Sequence, residues 1–250
     1  MKDNGAKKEL KMKLLTQIGL TYLKPRVVTW AYKKKKQSLL TNLSKTMKTT
    51  KIQTNTASVH STENKGMNET INEENDIDYY RDVIKENLEE VIDMLVDGLS
   101  EKETPVREEA SKGLGKIAGR LSQDMVMDIV DYILNLTPSP QTQHAICLTI
   151  AEFIRRNLIP PEKLVELYQL MKDSLLYEQE EGGYSIGQAV RDAACYMTWS
   201  VARAYEQGGY DLGISLMIAA CFDREVGCRR AASAAYQELV GRVGDVPNGI

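Results

Sequence analysis

Residues that carry most metal and nucleophile chemistry are scarce in this sequence. It has two histidines, His60 and His144, and four cysteines that form no CxxC pair: Cys147, Cys195, Cys221 and Cys228. Neither histidine stands in metal-ligand spacing with a cysteine or with the other histidine. A typical zinc site and a serine-type triad are therefore excluded. We expect no catalytic residue, cofactor or metal, and we expect the cysteines to be small core residues in a reducing compartment.

Long apolar runs and phosphate-binding loops are also missing. The longest apolar stretch, Gly213–Phe222, is far too short to cross a bilayer, so we expect no membrane span and a buried helix there. The run Gly113–Gly119 contains three glycines but lacks the Walker spacing, and it lies inside a predicted helix rather than after a strand. Nucleotide binding by this run is therefore not expected.

The charge of the chain is divided between a basic head and an acidic body. Residues 1–51 contain 14 Lys and Arg against 2 Asp and Glu, whereas residues 52–250 contain 18 against 33. Lys33–Lys36 follows Trp30, which favours either contact with nucleic acid or an acidic protein, or a solvated helix end. Because no second basic stripe and no aromatic RNA-binding signature exist, specific nucleic-acid recognition is not expected.

The pattern of apolar residues predicts three segments. Residues 1–44 form a basic helical hairpin, with one helix over Leu14–Leu23 and another beginning at Pro25. Residues 45–78 are polar, without helical spacing, and are predicted to be a disordered linker. Residues 79–250 contain about four helix pairs and no credible strand, with helices over 84–99 and 104–121, 125–136 and 144–156, 161–177 and 188–205, and 210–222 and 226–243.

The second helix of several pairs opens with a related motif. Val106-Arg107-Glu108-Glu109-Ala110, Val190-Arg191-Asp192-Ala193-Ala194 and Cys228-Arg229-Arg230-Ala231-Ala232 each place an arginine after an apolar residue. Aligning Arg107, His144, Arg191 and Arg229 gives steps of 37, 47 and 38 residues, close to the period of HEAT repeats. The sequence therefore predicts an all-α solenoid of HEAT or armadillo-like repeats. We expect the recurring arginines to pair with acidic residues or carbonyls of the adjacent repeat, and Tyr196 and Trp199 to be packing residues.

Three segments resemble the family of tubulin-folding cofactor D, also called tubulin-specific chaperone D. They are Leu20–Leu43, Ala110–Leu121, and the C-terminal segment with Val190–Tyr196, Ala202–Tyr205 and Phe222–Ala235. The sequence of residues 45–78 does not match the family, although a polar insertion at this place is similar to what the family carries. Because family members are several times longer, the chain is expected to be a fragment that exposes apolar faces and aggregates when expressed alone.

The resemblance implies a chaperone in the cytoplasm and on the microtubule cytoskeleton, without catalytic residues of its own. It implies binding of β-tubulin and assembly of the αβ-tubulin heterodimer with other tubulin-folding cofactors, in a complex that stimulates GTP hydrolysis by tubulin. An ADP-ribosylation-factor-like small GTPase is a further implied partner. Candidate partner-binding residues are Arg191, Asp192, Asp223, Arg224, Arg229 and Arg230.

The repeats by themselves leave other functions open. A HEAT-repeat transport receptor or trafficking adaptor would have the same pattern of paired helices. A nucleic-acid-binding scaffold is a second alternative, and residues 1–51 are its only support.

Overall fold

The computed structural model describes residues 2–25, 73–205 and 210–243. The chain divides into two compact units, residues 1–25 with 81–250 and residues 26–80, and of the second only the start of one helix is described. The described residues form nine helices and one short hairpin: α1 Lys2–Thr21, α2 Glu73–Leu99, α3 Thr104–Ala118, α4 Gln123–Leu134, α5 Pro140–Arg155, α6 Pro161–Leu175, β1 Gln179–Glu181, β2 Tyr184–Ile186, α7 Gln188–Ala204, α8 Tyr210–Phe222 and α9 Val226–Val243.

The helices pair as the repeat pattern predicts. The first helices of the four pairs are α2, α4, α6 and α8, and the second helices are α3, α5, α7 and α9. The second helices pack side by side in chain order, with α1 against α3. The all-α repeat fold predicted from the sequence is confirmed, because each amphipathic pair buries its apolar face against its neighbours.

The core follows from the three-four spacing of apolar residues. In α3, Val106, Ala110, Leu114 and Ile117 are all buried, with at most 1% of their surface exposed. Alanine supplies the close packing between α7 and α9, where Ala193, Ala194, Ala232 and Ala235 are buried, whereas Ala234 is exposed. Small side chains allow neighbouring helix backbones to approach closely.

Proline and serine set the helix beginnings. Pro105, Pro140 and Pro161 each stand in the first turn of a helix, where the missing N–H costs nothing. The Ser139 hydroxyl accepts from the backbone N–H of Thr142 in a capping box at the start of α5. Glu103 stands at the N-cap position of α3, and its side chain makes no capping hydrogen bond.

Several boundaries differ from the prediction. Helix α1 begins at Lys2 rather than Leu14, and α2 begins at Glu73, inside the 45–78 segment predicted to be a linker. Acidic residues in the first turns of α2 favour a helix N-terminus despite the weak apolar pattern. The predicted helix from Pro25, the basic run Lys33–Lys36, His60 and the rest of the predicted linker lie outside the described residues.

The long step in the repeat holds an antiparallel hairpin. Strands β1 and β2 pair Gln179 with Ile186 and Glu181 with Tyr184. Gly182 and Gly183 make the turn at φ of 59° and 80°, a region that favours glycine. No strand was predicted here, because three-residue strands are too short to show alternation.

Two predictions about burial at α8 are wrong. The stretch Gly213–Phe222 is helical but only half buried: Ile214, Met217, Ile218 and Phe222 are exposed, Phe222 by 82%. Cys221 is also exposed, whereas the other three cysteines are buried as expected. An apolar helix has too many apolar positions for one buried face, so the surplus faces outward.

Candidate functional site

Two of the recurring arginines, Arg107 and Arg229, cap the turn within their own helix pair. Arg107 Nη1 donates to the carbonyls of Glu101 and Lys102, at 2.7 Å each. Arg229 Nη1 donates to the carbonyls of Asp223 and Arg224, at 2.6 and 3.0 Å. Each arginine thus binds the carbonyls five and six residues before it, which the end of the preceding helix leaves without helical partners. Both arginines thus stabilise the turn of their own helix pair, and Arg107 also donates through Nε to His144 of the next pair.

Arg191 joins two repeats. Its Nη1 donates to the carbonyl of Tyr177, and its Nε and Nη2 donate to the carboxylate of Asp223 in the next pair, at 2.6 and 3.2 Å. Their side chains are only 8% and 4% exposed. Burial would raise the pKa of Asp223, but the hydrogen bonds from Arg191 and the Glu225 N–H outweigh it and hold that pKa below its usual value.

His144 occupies the equivalent position in the second pair. Its Nδ1 accepts from Arg107 Nε at 3.0 Å, which requires a neutral ring. Burial, and then the positive charge of Arg107, lower the pKa of His144 to about 4. The histidine therefore links the first and second pairs as a neutral acceptor.

The six candidate partner-binding residues fall into two groups. Arg191, Asp223, Arg224 and Arg229 converge on the turn after α8, where Arg224 also pairs with Glu178 at 2.9 Å. Asp192 and Arg230 instead lie exposed on α7 and α9. The turn is thus tied together by internal contacts, and the two exposed residues face solvent on the second helices.

The exposed side of α3, α5, α7 and α9, here called the second-helix face, carries a pocket of about 190 Å³. Six residues of three successive second helices line it: Glu108, Ser111, Lys112, Leu148, Glu152 and Tyr196. A surface that crosses three repeats offers contacts to a partner much larger than one helix pair.

Glu152 is the centre of the polar contacts at this pocket. Its carboxylate accepts from Arg155 at 3.0 Å, from Arg156, and from the Tyr196 hydroxyl at 2.9 Å. Burial would raise its pKa, but these donors outweigh it and lower the pKa. A side chain at Gly115 would place its Cβ 3.1 Å from Arg156 Nη1, so glycine there leaves space for this arginine.

An aromatic and cationic stack continues from Tyr196. The rings of Tyr196 and Trp199 stack with centroids 6.0 Å apart, and Arg203 Cζ lies 4.7 Å from the Trp199 ring. Arg203 approaches Glu238 of α9 at 4.0 Å, and Arg242 pairs with the same carboxylate. Tyr196 and Trp199 pack against each other, as predicted for packing residues, and they do so on the second-helix face.

Sequence reasoning missed the charged members of this network. Arg156 and Arg203 each stand twelve residues after the repeat position of His144 and Arg191. That shared position was a usable signal, whereas the role of Glu152 depends on neighbours from another helix.

Other features of the described residues have structural explanations. The Gly113–Gly119 run lies in and just after α3, and a Cβ at Gly113 would be 2.3 Å from the Thr16 hydroxyl oxygen of α1. Burial raises the pKa of the Cys147 and Cys195 thiols to about 11 and about 12. Within residues 2–25, 73–205 and 210–243, no cluster of potential metal ligands occurs and no helix is long and apolar enough to cross a bilayer.

The comparison with known families covers almost the whole chain. The family model for tubulin-specific chaperone D-like ARM repeats matches residues 6–250. The chain belongs to this family. The ARM repeats of the tubulin-specific chaperone D-like family account for the paired helices.

Two curated relatives of the tubulin-specific chaperone D-like family are similar to this chain. The tubulin-specific chaperone D of Dictyostelium discoideum is 36% identical over 166 residues, which cover 61% of this chain and 11% of that protein. The tubulin-folding cofactor D of Schizosaccharomyces pombe is 31% identical over 185 residues, covering 65% and 17%. The chain therefore spans less than a fifth of either relative. No solved structure matches it at a significant level.

Proposed function

We propose that this chain acts as a tubulin chaperone, binding β-tubulin and helping to assemble the αβ-tubulin heterodimer with other tubulin-folding cofactors. The observation that carries the proposal is the family match over residues 6–250, together with relatives named for tubulin folding. In the same proposal, the assembled complex stimulates GTP hydrolysis by tubulin in the cytoplasm and on microtubules. An ADP-ribosylation-factor-like small GTPase is the proposed regulatory partner.

The second-helix face supports a binding role. It presents partly exposed aromatic rings, paired arginines and a pocket that crosses α3, α5 and α7. Tryptophan, tyrosine and arginine are the residues that most often dominate protein interfaces. Their rotamers are held here by mutual contacts, so less conformational entropy is lost when a partner binds.

Capture of tubulin tests the proposal directly. The full chain is tethered at low density on a sensor surface, so that self-association does not interfere, and purified αβ-tubulin is passed over it. We expect saturable capture that serum albumin does not reproduce. If tubulin is not retained above the albumin level, the chaperone proposal fails for this chain.

A second measurement addresses the GTPase part of the proposal. Tubulin GTP hydrolysis is followed with the other tubulin-folding cofactors, with and without this chain. We expect no hydrolysis by the chain without tubulin and faster turnover when all components are present. Hydrolysis by the chain alone would contradict the scaffold role.

A further inference from the structure

The two helix layers differ in the sign of their charge. The first helices α2, α4, α6 and α8 contain 4 Lys and Arg against 17 Asp and Glu, whereas the second helices contain 9 against 5. The body of the chain is acidic as a whole, so a basic excess confined to one layer is a local property. Arg107, Arg191 and Arg229 are used by internal contacts, so the charge that this layer offers to a partner comes from the remaining six basic residues, set against five carboxylates.

Four arginines are clustered near the C-terminal ends of α5, α7 and α9. Arg155, Arg156, Arg203 and Arg242 stand there against the carboxylates of Glu152 and Glu238. The two carboxylates pair with only some of the N–H groups of these four arginines. The side chains of Arg155 and Arg203 remain 47% and 48% exposed, and a guanidinium can accept a further carboxylate through its unused N–H groups.

An aromatic surface separates the two exposed arginines. The Tyr196 hydroxyl donates to Glu152, and Trp199 lies between the Tyr196 ring and Arg203. The order along the surface is thus arginine, aromatic pair, arginine. Adjacent helices pack about 8–10 Å apart, and an extended chain covers about 10 Å in three residues.

We propose that this part of the second-helix face binds an extended acidic segment of a protein partner. Carboxylates of the segment pair with Arg155 and Arg203, and its backbone and apolar atoms lie over Tyr196 and Trp199. The inference deepens the proposed function and rests on it for the source of the segment, which would belong to the chaperone's client. A nucleic acid is the other polyanion that could meet these arginines, and comparison with an oligothymidylate distinguishes the two.

The test uses a labelled oligoglutamate peptide and the full chain tethered at low density. The double variant Arg155→Gln/Arg203→Gln removes both exposed guanidinium groups. The matched control Lys85→Gln/Lys102→Gln removes the same charge from exposed lysines away from the second-helix face. We expect wild type and control to bind the peptide with affinity that falls as salt is added, and the Arg155/Arg203 variant to bind about tenfold more weakly.

Several outcomes would overturn the inference. They are the absence of peptide binding by wild type, equal weakening in both variants, or binding of an oligothymidylate of matching charge at least as tightly as the peptide. Far-UV circular dichroism checks that each variant remains helical. If the double variant is not helical, single Arg155→Lys and Arg203→Lys variants replace it. Lysine keeps the positive charge but lacks the planar fork of the guanidinium group. Unchanged peptide affinity in both single variants would then overturn the inference.

Tubulin capture in the same format separates this inference from the proposed function. Capture of tubulin without any oligoglutamate binding would refute the acidic-segment site and leave the chaperone role standing. Oligoglutamate binding that depends on Arg155 and Arg203, without tubulin capture, would support the acidic-segment site and refute the chaperone role.

Discussion

The neutral histidine between the first two repeats makes stability depend on pH in a defined window. His144 is 5% exposed and accepts from Arg107, and its pKa falls from 6.5 to about 4 on folding. Because the folded pKa lies below the unfolded one, the unfolded chain binds more protons between these values. Stability therefore falls as the pH is lowered through the window from 6.5 to about 4.

The size of this effect follows from the pKa difference. A fall of the His144 pKa from 6.5 to about 4 corresponds to a loss of about 3 kcal/mol once the pH is below both values. Between pH 7 and pH 5 the same linkage gives a loss of about 2 kcal/mol. Urea unfolding followed by circular dichroism measures the free energy of unfolding at each pH.

The control is His144→Asn. The asparagine side-chain oxygen can accept from Arg107 near the position of Nδ1, but it does not titrate. We expect its stability to change by about 2 kcal/mol less than wild type over the same pH interval. If the free energy of unfolding depends on pH in the same way in both proteins, the neutral state of buried His144 is refuted. His60 is present in both proteins, so it does not contribute to the difference.

Three further predictions concern stability and solubility. Asp223→Asn leaves the Arg191 guanidinium buried without its charge partner and should lower the free energy of unfolding by about 3 kcal/mol. Gly113→Ala places a Cβ 2.3 Å from the Thr16 hydroxyl oxygen, so that side chain or α1 must shift, and it should cost about 1–3 kcal/mol, measured by urea unfolding. Phe222→Ser removes an exposed apolar ring; it should reduce self-association in light scattering while stability stays within about 0.5 kcal/mol.

Each of these changes has a clear contrary result. Gly241→Ala is the control for Gly113, since nothing lies within 4 Å of its Cβ, and it should stabilise α9 by about 0.5–1 kcal/mol. Equal effects at both glycines would refute the close approach to α1. An Asp223→Asn protein as stable as wild type would mean that the ion pair with Arg191 contributes nothing to stability. Unchanged light scattering by Phe222→Ser would mean that another surface causes self-association.

Repetition explains why much of the fold could be predicted. Apolar residues at three- and four-residue steps marked the helix pairs, and Arg107, Arg191 and Arg229 marked their order. The predictions that failed concern places where periodicity is short or ambiguous. The hairpin at Gly182 has strands of only three residues, which are too short to show alternation. Helix α8 is apolar on both faces, so the apolar pattern does not indicate which face is buried.

The sequence by itself determined the helical class, the repeat order and the family, because these depend on local periodicity and on short runs of adjacent residues. It could single out Arg191 and Asp223 but not their pairing. Only the tertiary structure decided that the Tyr196 hydroxyl of α7 donates to Glu152 of α5 and that Arg203 of α7 approaches Glu238 of α9. Such contacts join residues distant along the chain, and their geometry is set by how the second helices stack.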